Sequence, residues 1–407
     1  MGETMTKQRT ARCVAIALTV AVLGLLLSPA PRVAAMDMNA MFPDLNLPGF
    51  TITPFLTERV EYESNIFQTP SRIRDDVIFK TIPGVLLTLP VGPHRFDLGT
   101  RVEILRYADQ TQQDTEHFFV LGNMLLNFPG GLKLRAGEDF ARTSSPPGTE
   151  LVGRIDSSTN VFGAGAEYGF AQRYAVGVDY TWTHVDFTST VDQLDRDEHL
   201  IALTGYYRVQ PKTDLLLSYA YGEKEFDSAT NRDVTRHLIL GGVRGYLSAK
   251  LTTTFKLGYE AREADTRSQS DYHGIVIMGD VVWQPLERTR VSLNIDRNPQ
   301  ESTFASNFWY LSTILTLAAE HKITSKLSLL GRVFGGTNDY PDKAAKVDSR
   351  VRDWRSDALV GFGLGADYQI QRWLGVGVDW AWSHRNSNFD NFDYTDHIVG
   401  ARVTLSF

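Results

Sequence analysis

Between Phe362 and His384 apolar and small or polar positions alternate strictly. Phe362, Leu364, Ala366 and Tyr368 are interleaved with Gly361, Gly363, Gly365 and Asp367, then Leu374, Val376, Val378, Trp380 and Trp382 with Gly375, Gly377, Asp379, Ala381 and Ser383. A period of two gives each of two strands one apolar and one polar face, with a turn at Gln369 to Arg372. Aromatic residues cap the apolar face at both ends, as they do on strands that face lipid. The same hairpin stands 200 positions upstream. Phe162, Gly163, Gly165, Ala166, Tyr168, Val176, Gly177, Val178, Asp179, Trp182 and His184 match their counterparts without a gap. An array of such hairpins avoids open edges in lipid only by closing on itself.

Strand-like runs recur from Phe50 onwards. Tight turns are expected at Pro90 to Pro93, Phe128 to Gly131, Phe170 to Arg173, Gln210 to Lys212, Ser248 to Lys250, Gln284 to Arg288, Ile323 to Lys326 and Gln369 to Arg372. Longer polar segments alternate with them: Glu63 to Asp75, Ala108 to Thr115, Thr143 to Ser157, Thr188 to Asp197, Asp227 to Arg232, Ala264 to Ser270, Asn298 to Ser306, Tyr340 to Asp353 and Arg385 to Asp393. Eight turns and nine loops predict an all-β, antiparallel, up-and-down transmembrane barrel of about eighteen strands over 50–407, with both chain ends on the short-turn side. The runs at Phe50 to Tyr62 and Val291 to Ile295 are the weakest. Tyr174, Val176, Val178, Tyr180 and Trp182 are expected to face lipid, as are Leu215, Leu217, Tyr219 and Tyr221, and Phe255, Leu257 and Tyr259. Arg95, Asp97, Arg101, Glu103, Lys133, Arg135, Asp139, Lys256, Glu260 and Arg262 are expected to face a polar lumen of mixed sign.

The first 35 residues read as an export signal. Arg9 and Arg12 precede the apolar run Val14 to Leu27, and Val33-Ala34-Ala35 offers a cleavage site. Residues 36–49 form a periplasmic lead. The only cysteine, Cys13, lies in the signal, so the mature chain has neither thiol nor disulfide. Its 37 basic against 47 acidic residues, a net charge of −10, exclude a generally basic nucleic-acid binder.

Candidate chemistry is sparse. His117, His199, His237, His273 and His397 recur where loops enter descending strands, without metal-ligand spacing, and read as interfacial residues near lipopolysaccharide phosphates. Asp195, Asp197, Glu198 and His199 form the densest acid and base cluster, which reads as a charged loop end. Gly361, Gly363 and Gly365 continue a strand and are no nucleotide loop. No catalytic residue, metal or cofactor is expected. The segment from Tyr340 to Arg355 carries Lys343, Lys346, Arg350, Arg352 and Arg355 against Asp342, Asp348 and Asp353. Folded inward, it would make a basic constriction selecting anions; the loop from Thr143 to Ile155 is a second plug candidate.

The chain ends Val399, Ala401, Val403, Leu405, Phe407 on one face, like a strand read by the outer-membrane assembly machinery. With Glu58-Arg-Val-Glu-Tyr-Glu-Ser-Asn-Ile-Phe67, Tyr394 to Arg402 and the Gly-x-x-Tyr strands between, it resembles an outer-membrane β-barrel porin family often found with exopolysaccharide export loci. In apparent strand number it is also similar to alginate-type exporters. The resemblance implies a conduit for a secreted polysaccharide, with outer-membrane lipid, the assembly machinery and a periplasmic export partner as its contacts. A general or small-solute porin is the alternative. So is a closed surface scaffold whose loops bind polysaccharide or a partner.

Overall fold

The computed structural model describes residues 49–145, 154–188, 192–227, 232–266, 269–304, 307–346 and 351–407. The expected signal and nearly all of the lead lie outside them. Eighteen strands follow in order: β1 (Thr51–Glu63), β2 (Asp76–Val91), β3 (His94–Tyr107), β4 (Thr115–Asn127), β5 (Leu132–Ser145), β6 (Ile155–Phe170), β7 (Tyr174–Phe187), β8 (Arg196–Gln210), β9 (Thr213–Phe226), β10 (Val234–Ser248), β11 (Leu251–Ala264), β12 (Tyr272–Leu286), β13 (Thr289–Glu301), β14 (Trp309–Lys322), β15 (Leu327–Ala345), β16 (Arg352–Gln371), β17 (Leu374–Ser387) and β18 (Tyr394–Ser406). Each pairs antiparallel with its sequence neighbours, and β1 pairs with β18 from Phe55 opposite Ser406 to Glu63 opposite Ile398. The sheet is therefore a closed, up-and-down barrel.

All eight expected tight turns are the short connections. The opposite end differs in extent. The segment from Tyr340 to Asp353 is mostly strand, because β15 and β16 extend to 19 and 20 residues and still pair at Lys343 opposite Trp354, beyond an irregularity at Asp339. Above the bilayer water can solvate both faces of a ribbon, so a polar sequence there continues the ladder without an apolar face.

The two faces are those the alternation demands. Leu217 is 67% exposed on the outside of β9, whereas Leu216 beside it is buried inside. Tyr174, Val176, Val178 and Tyr180 are likewise exposed, while Ala175 is buried and Asp179 turns inward. The repeated hairpin is repeated in three dimensions as β6–β7 and β16–β17. Trp182 stacks on His184 at 6.1 Å, and Trp382 on His384 at 6.0 Å. β1 alternates poorly in sequence because Glu58, in the outward phase, accepts a hydrogen bond from Thr81 of β2, while Arg59, Glu61 and Glu63 turn inward.

Candidate functional site: the charged lumen and its inward-folded hairpin

The lower, short-turn half of the lumen is a wall of paired charges. Arg59 donates to Asp379 (2.7 and 2.8 Å) and Glu61 (2.8 Å), and Lys80 lies 2.5 Å from Glu61. Arg402 bridges Asp379 (2.9 Å) and Asp367. On the facing wall Arg244 joins Glu167 (2.7 Å) to Asp214 (3.0 Å), its guanidinium 3.6 Å over the Tyr206 ring. Luminal glycines make room for these head groups. A Cβ on Gly400 would stand 2.3 Å from Arg59 Nη2, and one on Gly165 would meet the Arg135–Asp179 pair. A cavity of about 780 Å³ lies against this wall, lined in part by Arg95, Asp97, Arg135, Asp179, Arg244 and Lys256.

The upper half is narrowed by the tip of the β13–β14 hairpin. The β12–β13 ladder ends at Ile277 opposite Arg297, whereas β13 stays paired to β14 as far as Glu301 opposite Trp309. Pro299, which has no N–H to give, stands in the freed segment. Beyond it, residues in the outward phase touch inward-facing residues of β9 to β12. Glu301 lies 2.9 Å from both Lys224 and Arg262. Trp309 packs edge-on against Tyr272 at 5.2 Å and joins a buried cluster with Leu240 and Val276, against which Leu311 also packs. Such contacts require the tip to lie inside the line of β12.

The connection after Glu301 is anchored on several sides. Arg232, between β9 and β10, donates to the carbonyls of Ser302 (2.8 Å) and Phe308 (2.9 Å). Asn307 exchanges two hydrogen bonds with the backbone of Asp342, and the Trp309 indole donates to the Ser270 carbonyl (2.6 Å). Phe304 packs edge-on against Tyr340, Phe389 and Phe392, all within 5.4 Å, and 4.7 Å from the Arg355 guanidinium.

The expected lumen residues fall into three groups. Arg101, Glu103, Arg135 and Lys256 face the open lumen. Arg101 pairs with Glu103 (3.0 Å) and lies 3.9 Å over Phe119, and Glu103 is 3.7 Å from the inward-facing His117. Glu260, Arg262 and Arg355 are buried in the upper half; Glu260 pairs with Arg236 (2.7 Å) and Arg355 with Asp357 (2.7 Å). Lys343, Lys346 and Arg352 stand on the projecting β15–β16 hairpin. There Lys343 covers Trp354 at 4.0 Å, Lys346 pairs with Asp353 (3.3 Å) and Arg352 donates to the Lys343 carbonyl. Arg350 lies outside the described residues, as does most of the Thr143 to Ile155 loop. Phe407, at the foot of the closing seam, donates its amide to the Pro54 carbonyl (3.0 Å).

The acid and base cluster of β8 does not converge. Asp197 accepts from the Trp182 indole and lies 3.1 Å from His184 outside, whereas Glu198 turns inward to Arg196 and Lys224. Sequence reasoning missed Glu301, Phe304 and Arg232, which read as ordinary loop. Arg59, Glu61 and Glu63 were within reach, since they share one face at period two.

A closed eighteen-stranded barrel, apolar outside and charged within, is a pore of the outer membrane. Residues 46–407 match the family described as "Putative beta-barrel porin 2", and the chain belongs to that family of channels. No curated protein matches it. Among solved structures it is similar to OccK2 (OpdF) of Pseudomonas aeruginosa, at 13% identity and a TM-score of 0.48 over 88% of this chain and 98% of that one. It is also similar to a BenF-like porin of Pseudomonas fluorescens Pf-5 (12%, TM-score 0.47, 88% and 99%) and to OccAB3 of Acinetobacter baumannii (11%, TM-score 0.45, 88% and 99%).

Proposed function

We propose that the protein is a diffusion pore for small hydrophilic solutes across the outer membrane. The carrying observation is the lumen: charges of both signs interleave along its lower half, and the Phe304 and Arg355 cluster narrows its upper half. Paired charges exchange hydrogen bonds with a hydrated solute, and a narrow stretch sets its size. Passage of a polysaccharide, implied by the resemblance to export-associated porins, gains nothing from this geometry, and small-solute passage fits it better. Within this reading Lys343, Lys346 and Arg352 act at the outer mouth, and Arg101, Arg135 and Lys256 along the lumen wall. The mature barrel begins near Met36 once an export signal has been removed.

Liposome swelling with sugars of graded size tests the proposal. Liposomes carrying the folded barrel are expected to swell in arabinose and to slow steeply through glucose to raffinose. No swelling in any of them, with insertion verified, would refute it.

A further inference from the structure

The tip of the β13–β14 hairpin places a carboxylate in a nest of cations built by other strands. Arg196, Lys224, Arg236 and Arg262 stand there against Glu198 and Glu260, supplied by β8 to β11. Glu301 arrives from β13 as the third acid, held at 2.9 Å by both Lys224 and Arg262. The site is built rather than incidental. The side chains of Arg262, Glu301 and Lys224 are 2%, 6% and 8% exposed. Arg262 gives Nη2 to Glu301, while its buried Nε and Nη1 find no hydrogen-bond partner among the described residues. A buried guanidinium left partly unsatisfied favours an anion able to take up its free hydrogens.

The carboxylate is also attached to a stretch of wall that has left one of its neighbours. Above Arg297 no ladder ties β13 to β12 among the described residues, and side chains such as Arg232, Asn307 and Trp309 anchor the tip inward. Withdrawing Glu301 leaves four cations against two acids in a buried cluster, which is costly unless another anion enters.

We infer that the nest around Lys224 and Arg262 is a binding site for the carboxylate of a transported solute, and that Glu301 occupies it as a built-in surrogate. A solute carboxylate competes for Lys224 and Arg262, Glu301 is displaced, and the β13–β14 tip, left to its remaining anchors, is loosened and shifts off the upper lumen more often. Binding and opening are then coupled, because the solute binds only where Glu301 has left. This inference rests on the porin reading and names its preferred solutes.

The test is single-channel recording of the full mature barrel, with acetate and succinate as probes and methylammonium as the cationic control. In the native protein acetate is expected to raise the open fraction about fivefold or more, and methylammonium to leave it unchanged. In Glu301→Gln the open fraction is expected to be high from the start and indifferent to acetate. Because that change leaves buried charge, which weighs against folding, a second variant keeps Glu301. Asn307→Cys with Asp342→Cys, joined by a short thiol crosslinker, ties the tip to β15 and should abolish the acetate response until the link is cut. A folded channel that responds to acetate equally when linked, or a Glu301→Gln channel that behaves like the native one, overturns the inference. A folded barrel that conducts in none of these forms overturns the porin reading beneath it.

Discussion

Arg59 of the first strand grips Asp379 of the seventeenth through two hydrogen bonds, Nη1 to Oδ1 at 2.7 Å and Nη2 to Oδ2 at 2.8 Å, reaching over Gly400 of the last strand. The pair therefore spans the seam where β18 closes on β1. Asp379→Ala removes both bonds and that from Arg402 (2.9 Å), leaving two arginines without their shared acid. Because the pair is partly solvated, the expected loss is about 1–2 kcal/mol, read as a lower urea midpoint for unfolding from lipid vesicles. Asp97→Ala, at a more exposed pair with Arg95, should lose less than half of that.

Gly400 and Gly165 hold the floors under such pairs. A methyl group at Gly165 would meet Asp179 Oδ1 and the Arg135 guanidinium at once. Gly165→Val is expected to push both charges into the lumen, lowering conductance while the barrel still folds. Gly363→Val, on the same face but with nothing near its Cβ direction except backbone and Ala381, should fold equally well and change conductance less.

Val178 lies outside β7, 45% exposed, between the aromatic residues Tyr174 and Trp182. Val178→Arg places a charge near the middle of the apolar band and should cost about 2–4 kcal/mol. Thr181→Arg, facing the lumen, should cost far less, as measured by refolding yield and urea midpoint in lipid. Equal losses would mean the two faces are misassigned.

Lys343, Lys346 and Arg352 stand on the outer hairpin, where their field reaches the mouth only through water. Replacing all three with Ser should slow the admission of anions at low salt and have almost no effect near 1 M salt, where the Debye length is about 3 Å. An effect that persists at high salt would place these side chains in the passage itself.

What could be read along the chain was whatever the lipid imposes locally. Val176, Val178 and Tyr180 must alternate with Gly177 and Asp179 wherever the strand crosses apolar solvent, and a turn such as Gln210 to Lys212 needs only its own residues. The barrel and its strand number followed from that rule. The upper lumen did not, because no local constraint acts there. Glu301 and Trp309 keep the outward phase of their strands and yet touch the inner wall, since the hairpin tip has shifted as a body. Nothing in Asn298 to Ser306 signals that shift except Pro299. Arg355 was legible as a lumen candidate, but not its burial beside Asp357 and Phe392, which depends on residues from other hairpins.

A porin needs a continuous aqueous passage, and single-channel conductance measures that directly. The barrel from Met36 onward, refolded and inserted in a planar bilayer in KCl, is expected to give discrete, reproducible steps of small conductance. These should persist when neutral polymers too large for the Phe304 and Arg355 narrowing are added. A verified, inserted barrel that gives no steps at any voltage would contradict the account and leave a closed surface scaffold in its place.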